Sequence, residues 1–226
     1  MNLSAVLSRV VNPSGVLEDA RTRRLALQGA LVALAIVVLV IAGWGWFRWQ
    51  ESRGEAALAQ ASSLVQQALT PQATPDTRAR AMKALEAVIS EHSHFSGVPQ
   101  AAYLLGNLRY AARQYPGARG AYEIALAKGG SGAVRTLSAV GIGYTWEAEK
   151  NYANATAAYE TALKRIRPKD FLYEETLIAL ARAQNLGGQP AAAVETYQRL
   201  LKDVPESRRA DDLKTRLAEL KSRAAK

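Results

Sequence analysis

The sequence predicts an all-α protein: a single N-terminal transmembrane helix, then an α-solenoid of about three to four helical hairpins, then a C-terminal capping helix. Three observations carry this expectation. The apolar content is mostly Ala and Leu, with few β-branched residues outside one segment, which favours helix over strand. An uncharged apolar run occupies residues 25–47. Two stretches also echo each other, QYPGARGAYEIAL (Gln114 to Leu126) and NYANATAAYETAL (Asn151 to Leu163), with Tyr152 standing 37 positions after Tyr115. An echo at fixed period is the signature of stacked supersecondary units.

The anchor comes first. From Leu25 to Phe47 the chain reads LALQGALVALAIVVLVIAGWGWF, in which only Gln28 is strongly polar. At ~1.5 Å per residue such a helix is roughly 34 Å long, enough for a ~30 Å hydrocarbon core. Trp44, Trp46 and Trp49 cluster at its C-terminal end, where amphipathic rings favour a membrane–water interface. The run is longer than the apolar part of a signal peptide, and WGWF stands where small residues would mark cleavage, so an uncleaved anchor is expected. Arg21, Arg23 and Arg24 precede it, against Arg48 and Arg53 after it. The basic excess predicts a cytoplasmic leader over residues 1–24 and a C-terminal domain beyond a bacterial inner membrane, in the periplasm. Within the leader, Leu3, Val6, Leu7, Val10 and Val11 have helical spacing, which reads as a short helix on the inner leaflet or as a frayed segment.

Composition bounds the rest. A chain that is 49% hydrophobic and 22% charged is too apolar for a disordered protein. With no cysteine it can have neither a disulfide framework nor a thiolate site. The net charge is +9, of which +7 falls after the leader, and these charges are interspersed rather than blocked. That pattern reads as a solvated surface, and no nucleic-acid partner is expected.

Within the echo, Ala118, Ala121, Tyr122, Ala125 and Leu126 fall on one helical face. Upstream, AAYLLGNLRYAARQ supplies a second helix with Leu104, Leu105, Leu108 and Ala112 on its apolar side, and Pro116 suits the first turn of the helix that follows. Each hairpin is too small to bury its own apolar face, so neighbours must stack. Further pairs follow at periods of 37 and 38, set by Ala118, Ala155 and Ala193. The spacing residues fall in KGGSGA and RPKDF, which read as loops.

This pattern resembles the tetratricopeptide repeat. Leu105-Gly106, Ala118, Tyr122 and Ala125 match its sites in the clearest unit. The next unit offers Ile142-Gly143, Ala155, Tyr159 and Ala162, and the third Leu180-Ala181, Ala193, Tyr197 and Leu200, with Pro205 at its end. The early tryptophan of the family is replaced by Ala102, Ala139 and Leu177, and the third unit lacks the glycine. Residues 97–206 thus hold three degenerate repeats. Residues 48–96 read as a weaker first hairpin, with Ala81, Leu85 and Val88 at the second-helix sites. Residues 207–226 carry a stripe of Ala210, Leu213, Leu217, Leu220 and Ala224, which suits a cap or, alternatively, a two-heptad coiled coil.

The order of parts (a leader, one anchor ending in GWGWFRWQ, then degenerate repeats) is similar to the ancillary subunit of the bacterial Sec translocon. That resemblance implies a non-catalytic inner-membrane adaptor whose partners are translocon components, chaperones or secreted clients. Repeat proteins of cytochrome c maturation and of cell division have a similar plan, and a self-assembling scaffold, a homo-oligomer, is the structural alternative. In the tetratricopeptide plan the first helix of each hairpin lines the concave groove. Its positions carry over to Tyr103, Asn107 and Tyr110, to Tyr144 and Glu147, and to Arg182 and Asn185. A clamp for a terminal carboxylate is not expected, because Tyr103, Tyr144, Glu175 and Ala179 stand where paired cations would be needed.

Little else suggests chemistry. The segment EHSH (Glu91 to His94) reads as a solvated helix end rather than a metal site. Gly141-Ile142-Gly143 lacks the third glycine and the preceding strand of a dinucleotide loop, and KGGSG lacks the lysine-serine ending of a phosphate loop. No enzyme activity, cofactor or metal is expected.

Overall fold

The computed structural model describes residues 20–130 and 132–224, and the leader, including the Leu3–Val11 stripe, lies outside them. The chain divides into two compact units, residues 1–50 and 51–226. The described residues form nine α-helices and no strand.

Helix α1, Ala20–Ala68, runs without interruption past Phe47 and Gln50, so the predicted end of the anchor is not an end of the helix. In the first unit its Leu, Val, Ile, Trp and Phe side chains are all exposed. Its most apolar window has a mean hydropathy of 2.5 and none of that window is buried. By length and composition this is a helix able to cross a membrane. Trp46 and Trp49 pack their rings 5.3 Å apart.

The second unit is a stack of helical hairpins. Its first hairpin pairs the C-terminal part of α1 with α2 (Pro75–Glu91), through Ala61, Val65 and Ala68 on one side and Ala81, Leu85 and Val88 on the other. Thr74 caps α2 by accepting from the Thr77 N–H at 3.1 Å, with Pro75 opening the helix. Phe95 is wedged between Gly54 and Gly97, where a Cβ on either glycine would collide with the ring.

The three predicted repeats follow. They are α3 (Val98–Ala111) with α4 (Tyr115–Ala127), α5 (Gly132–Ala148) with α6 (Tyr152–Leu163), and α7 (Tyr173–Leu186) with α8 (Pro190–Asp203). In α3, Leu105 and Leu108 are buried and Leu104 half-buried. Ala112 is exposed instead, because the helix ends one residue before it and the chain turns away. The small sites Ala118, Ala125, Ala155, Ala162 and Ala193 are buried, as are Tyr122, Tyr159 and Tyr197. Gly106 and Gly143 have a clear cause: a Cβ on either would strike the ring of Tyr122 or Tyr159 respectively. The helices approach closely only because that atom is missing. The last helix, α9 (Ala210–Ala224), packs on α8 through Leu213 and Leu220, and its charged residues from Asp211 to Lys221 are exposed.

The turn inside each hairpin repeats in a way that the residue types hide. Arg113 and Lys150 both have φ of 61°, and Gly188 at the matching site has φ of 78°. Each turn closes with the same bond across the helix end: Gln114 N–H to Arg109 O at 2.8 Å, Asn151 to Trp146 at 2.9 Å, Gln189 to Gln184 at 2.8 Å. This is the Schellman ending, in which the left-handed position favours glycine. An L-residue there costs about 1–2 kcal/mol, while glycine adds about 0.5–1 kcal/mol of unfolded-state entropy. Lys150→Gly is therefore expected to stabilise the protein by about 0.5–1 kcal/mol. Urea unfolding in lipid nanodiscs checks this, and an unchanged or lower midpoint would contradict it.

Candidate protein-binding face

Helix α3 packs on α5 as well as on α4, so the first helices of the first two repeats lie side by side. Their shared face brings Tyr103, Asn107, Tyr110 and Tyr144 around one hollow of about 180 Å3. Leu137, Val140, Gly141 and Leu172 complete its walls, with Tyr122 at its floor. The groove tyrosines both pack and face outward. Tyr103 stacks against Tyr122 at 6.1 Å, Tyr144 meets Tyr159 edge-on at 5.7 Å, and Tyr110 lies 5.6 Å from Tyr115. Tyr103 and Tyr144 stay half-buried, and Tyr110 is exposed. Their spacing suits offset and edge-to-face contacts between aromatic rings.

The polar members of the face are largely committed to one another. The Tyr122 hydroxyl donates to Asn107 Oδ1 at 2.8 Å. The Tyr159 hydroxyl donates to Glu147 Oε2 at 2.8 Å. Arg182, from the next repeat, grips the same carboxylate through Nε at 2.5 Å and Nη2 at 3.0 Å. Glu147 thus joins the second and third repeats through a two-pronged charge-assisted contact. Asn185 does not line the hollow, and its backbone carbonyl accepts the turn N–H of Gly188 at 3.2 Å.

Burial sets the electrostatics. It pushes the Tyr144 phenol up to about 12, assisted by the Glu175 carboxylate and opposed by Arg182. The phenols of Tyr122 and Tyr159 are raised further, first by burial and then, for Tyr159, by Glu147. Tyr110 is raised by burial too. All four are neutral donors at physiological pH.

Several lining residues escape a sequence reading. Gly141 enters the sequence reading only as part of an incomplete dinucleotide motif, yet a Cβ there would come within 2.8 Å of the Tyr122 ring and shrink the hollow. Leu172 has a left-handed backbone, φ 75°, rare for a branched side chain. Its neighbour Phe171 is 80% exposed. The one signal for that pair in the sequence is an aromatic residue inside the polar loop RPKDF. That loop is closed by Asp170, whose carboxylate accepts from the Arg167 N–H at 2.9 Å and from its guanidinium at 3.2 Å. Away from the face, Arg119 lies 3.5 Å over the Trp146 ring and pairs with Glu149, which ties the first repeat to the second. Among the described residues no group of three or more His, Asp and Glu side chains converges as metal ligands would.

No curated protein matches the sequence. Among solved structures, a MamA RS-1 ArsTM double mutant is similar, with 14% identity and a TM-score of 0.52 over 74% of this chain and 96% of that one. At that identity the likeness concerns the fold, a helical repeat array. The model of the tetratricopeptide repeat-like domain matches residues 26–222, nearly the whole chain, including the hairpins whose glycine–tyrosine contacts are described above. The chain belongs to the tetratricopeptide repeat-like family, whose arrays act as protein-interaction adaptors and scaffolds.

Proposed function

We propose that this protein is a non-catalytic adaptor, anchored in a bacterial inner membrane by residues 25–47, with a cytoplasmic N-terminus and a periplasmic repeat domain. Its partners are Sec translocon components and the periplasmic chaperones or clients that meet them. The observation that carries the reading is the aromatic hollow formed by Tyr103, Asn107, Tyr110 and Tyr144 on the first-helix face. Tyrosine gives large contact area with a polar tip at low entropy cost, which suits recognition of polypeptide. The apolar half of α1 supports the anchor, and the arginines before it support the orientation. Tethering then raises the effective concentration of this face for membrane-bound partners. The charged outer face of α9 argues against end-to-end stacking of protomers into a scaffold.

A photo-crosslinking residue at position 103 or 144 of the full chain, used in cells, tests this. Adducts with a translocon subunit or a periplasmic chaperone are expected from both positions and not from the exposed second-helix position Glu123. Adducts from Glu123 alone, or none with those partners, would overturn it.

A further inference from the structure

We infer that the hollow between Tyr103, Tyr110 and Tyr144 receives one uncharged apolar side chain, aromatic or branched aliphatic, from an extended polypeptide, with Phe171, in the open hollow that shares Leu172 with it, as a second contact. This deepens the adaptor reading and rests on it.

Size comes first. A protein cavity of about 150 Å3 lined by apolar side chains takes up benzene. The hollow here measures about 180 Å3, room for a phenyl or isobutyl group and little more. It is the most enclosed of the hollows described, whereas those beside Phe95, Phe171 and Thr196 are broad and open. Its walls are phenol rings with Leu137, Val140 and Leu172, which gain by contact with carbon rather than with charge.

Charge decides what is excluded. The charges nearest the hollow are already neutralised. Glu147 is held by Arg182 and by the Tyr159 hydroxyl, and Glu175 pairs with Arg209 at 3.0 Å. An acidic or basic side chain entering the hollow would lose its hydration and find no free counter-charge. Asn107 completes the picture. Its Oδ1 already accepts from Tyr122, which leaves its amide hydrogens as the donors on offer beside the rings. An amide donor next to an apolar socket fits a polypeptide backbone with its side chain inserted.

Phe171 supplies the second contact. It follows the closed Arg167–Asp170 loop and lines an open hollow with Leu172, which is also a wall of the socket. In the second unit it is the most exposed large apolar side chain described. An exposed aromatic ring in an open hollow that shares the Leu172 wall with the socket offers the same extended ligand a second contact.

The test uses the full chain in lipid nanodiscs and fluorescein-labelled short Gly/Ser peptides with one central Phe, Leu, Asp or Lys, read by anisotropy. The Phe and Leu peptides are expected to bind at least about tenfold more tightly than the Asp and Lys peptides, the ratio that burying one such side chain supplies. Leu137→Trp, which fills the socket, is expected to remove that preference. Phe171→Ser alters an exposed side chain only, leaves the unfolding midpoint unchanged, and is expected to weaken the Phe peptide about threefold or more. Equal binding of all four peptides overturns the inference, and so does an undiminished preference in Leu137→Trp. If that variant fails to fold, Phe171→Ser decides, and unaltered binding overturns the inference. Should the peptides bind without preference while position 103 still captures a partner in cells, the inference falls and the adaptor reading stands. Apolar preference with no capture supports the socket and removes the adaptor reading.

Discussion

Tyr159→Ala is expected to destabilise the repeat domain by about 3–5 kcal/mol, the range for deleting a large buried ring. Tyr159 is fully buried and sits in the larger core cluster with Ala155, Ala162, Leu177 and Leu180. Its ring covers Gly143 and meets Tyr144, and its hydroxyl holds Glu147, which Arg182 grips from the next repeat. Removing it opens a cavity and takes one partner from a half-buried ion pair at the same time. Tyr159→Phe separates the two effects, since it keeps the ring and loses about 1 kcal/mol with the hydrogen bond. Urea unfolding in nanodiscs measures both variants. If alanine costs no more than phenylalanine, the ring is not the plug between hairpins.

Gly143→Ala is the complementary case. A Cβ at that site falls inside contact distance of the Tyr159 ring, and the next nearest ring atom lies 2.5 Å away. The ring cannot swing clear while its hydroxyl is tied to Glu147. Overpacking of this kind costs about 1–3 kcal/mol, against about 1 kcal/mol returned by alanine's better helix propensity. A net loss of up to about 2 kcal/mol is expected on that balance. In a Tyr159→Ala background the clash disappears and the same change becomes neutral or stabilising, a coupling of about 2 kcal/mol. A Gly143→Ala effect of the same sign and size in both backgrounds would show that glycine is there for another reason.

These two substitutions mark what was legible in the sequence. Alanines, glycines and tyrosines recurring at periods of 37 and 38 could be read as contacts because close helix approach permits few residue types. Gly106 with Tyr122 and Gly143 with Tyr159 follow that logic in space. The third unit breaks it: Ala181 stands in place of glycine, and Tyr197 is buried with no glycine beneath its ring. Other features left no periodic trace. Arg113 and Lys150 take a backbone conformation typical of glycine, so their turns show in φ and not in residue type. The Glu147–Arg182 pair joins residues 35 apart whose charges look like any other surface charges. Of the predicted face, Tyr103, Asn107, Tyr110 and Tyr144 share one hollow, Glu147 and Arg182 pair beside it, and Asn185 does not line the hollow. Leu172 joins the wall from an inter-repeat loop, where helical spacing gives no guidance.

Amide hydrogen exchange on the full chain in nanodiscs, with and without the partner captured at position 103, tests the central claim most directly. The first helices α3, α5 and α7 and the Asp170–Leu172 segment should gain protection, while α4, α6 and α8 should not. Protection confined to the second helices, or to α9, would contradict a recognition face built on Tyr103, Tyr110 and Tyr144.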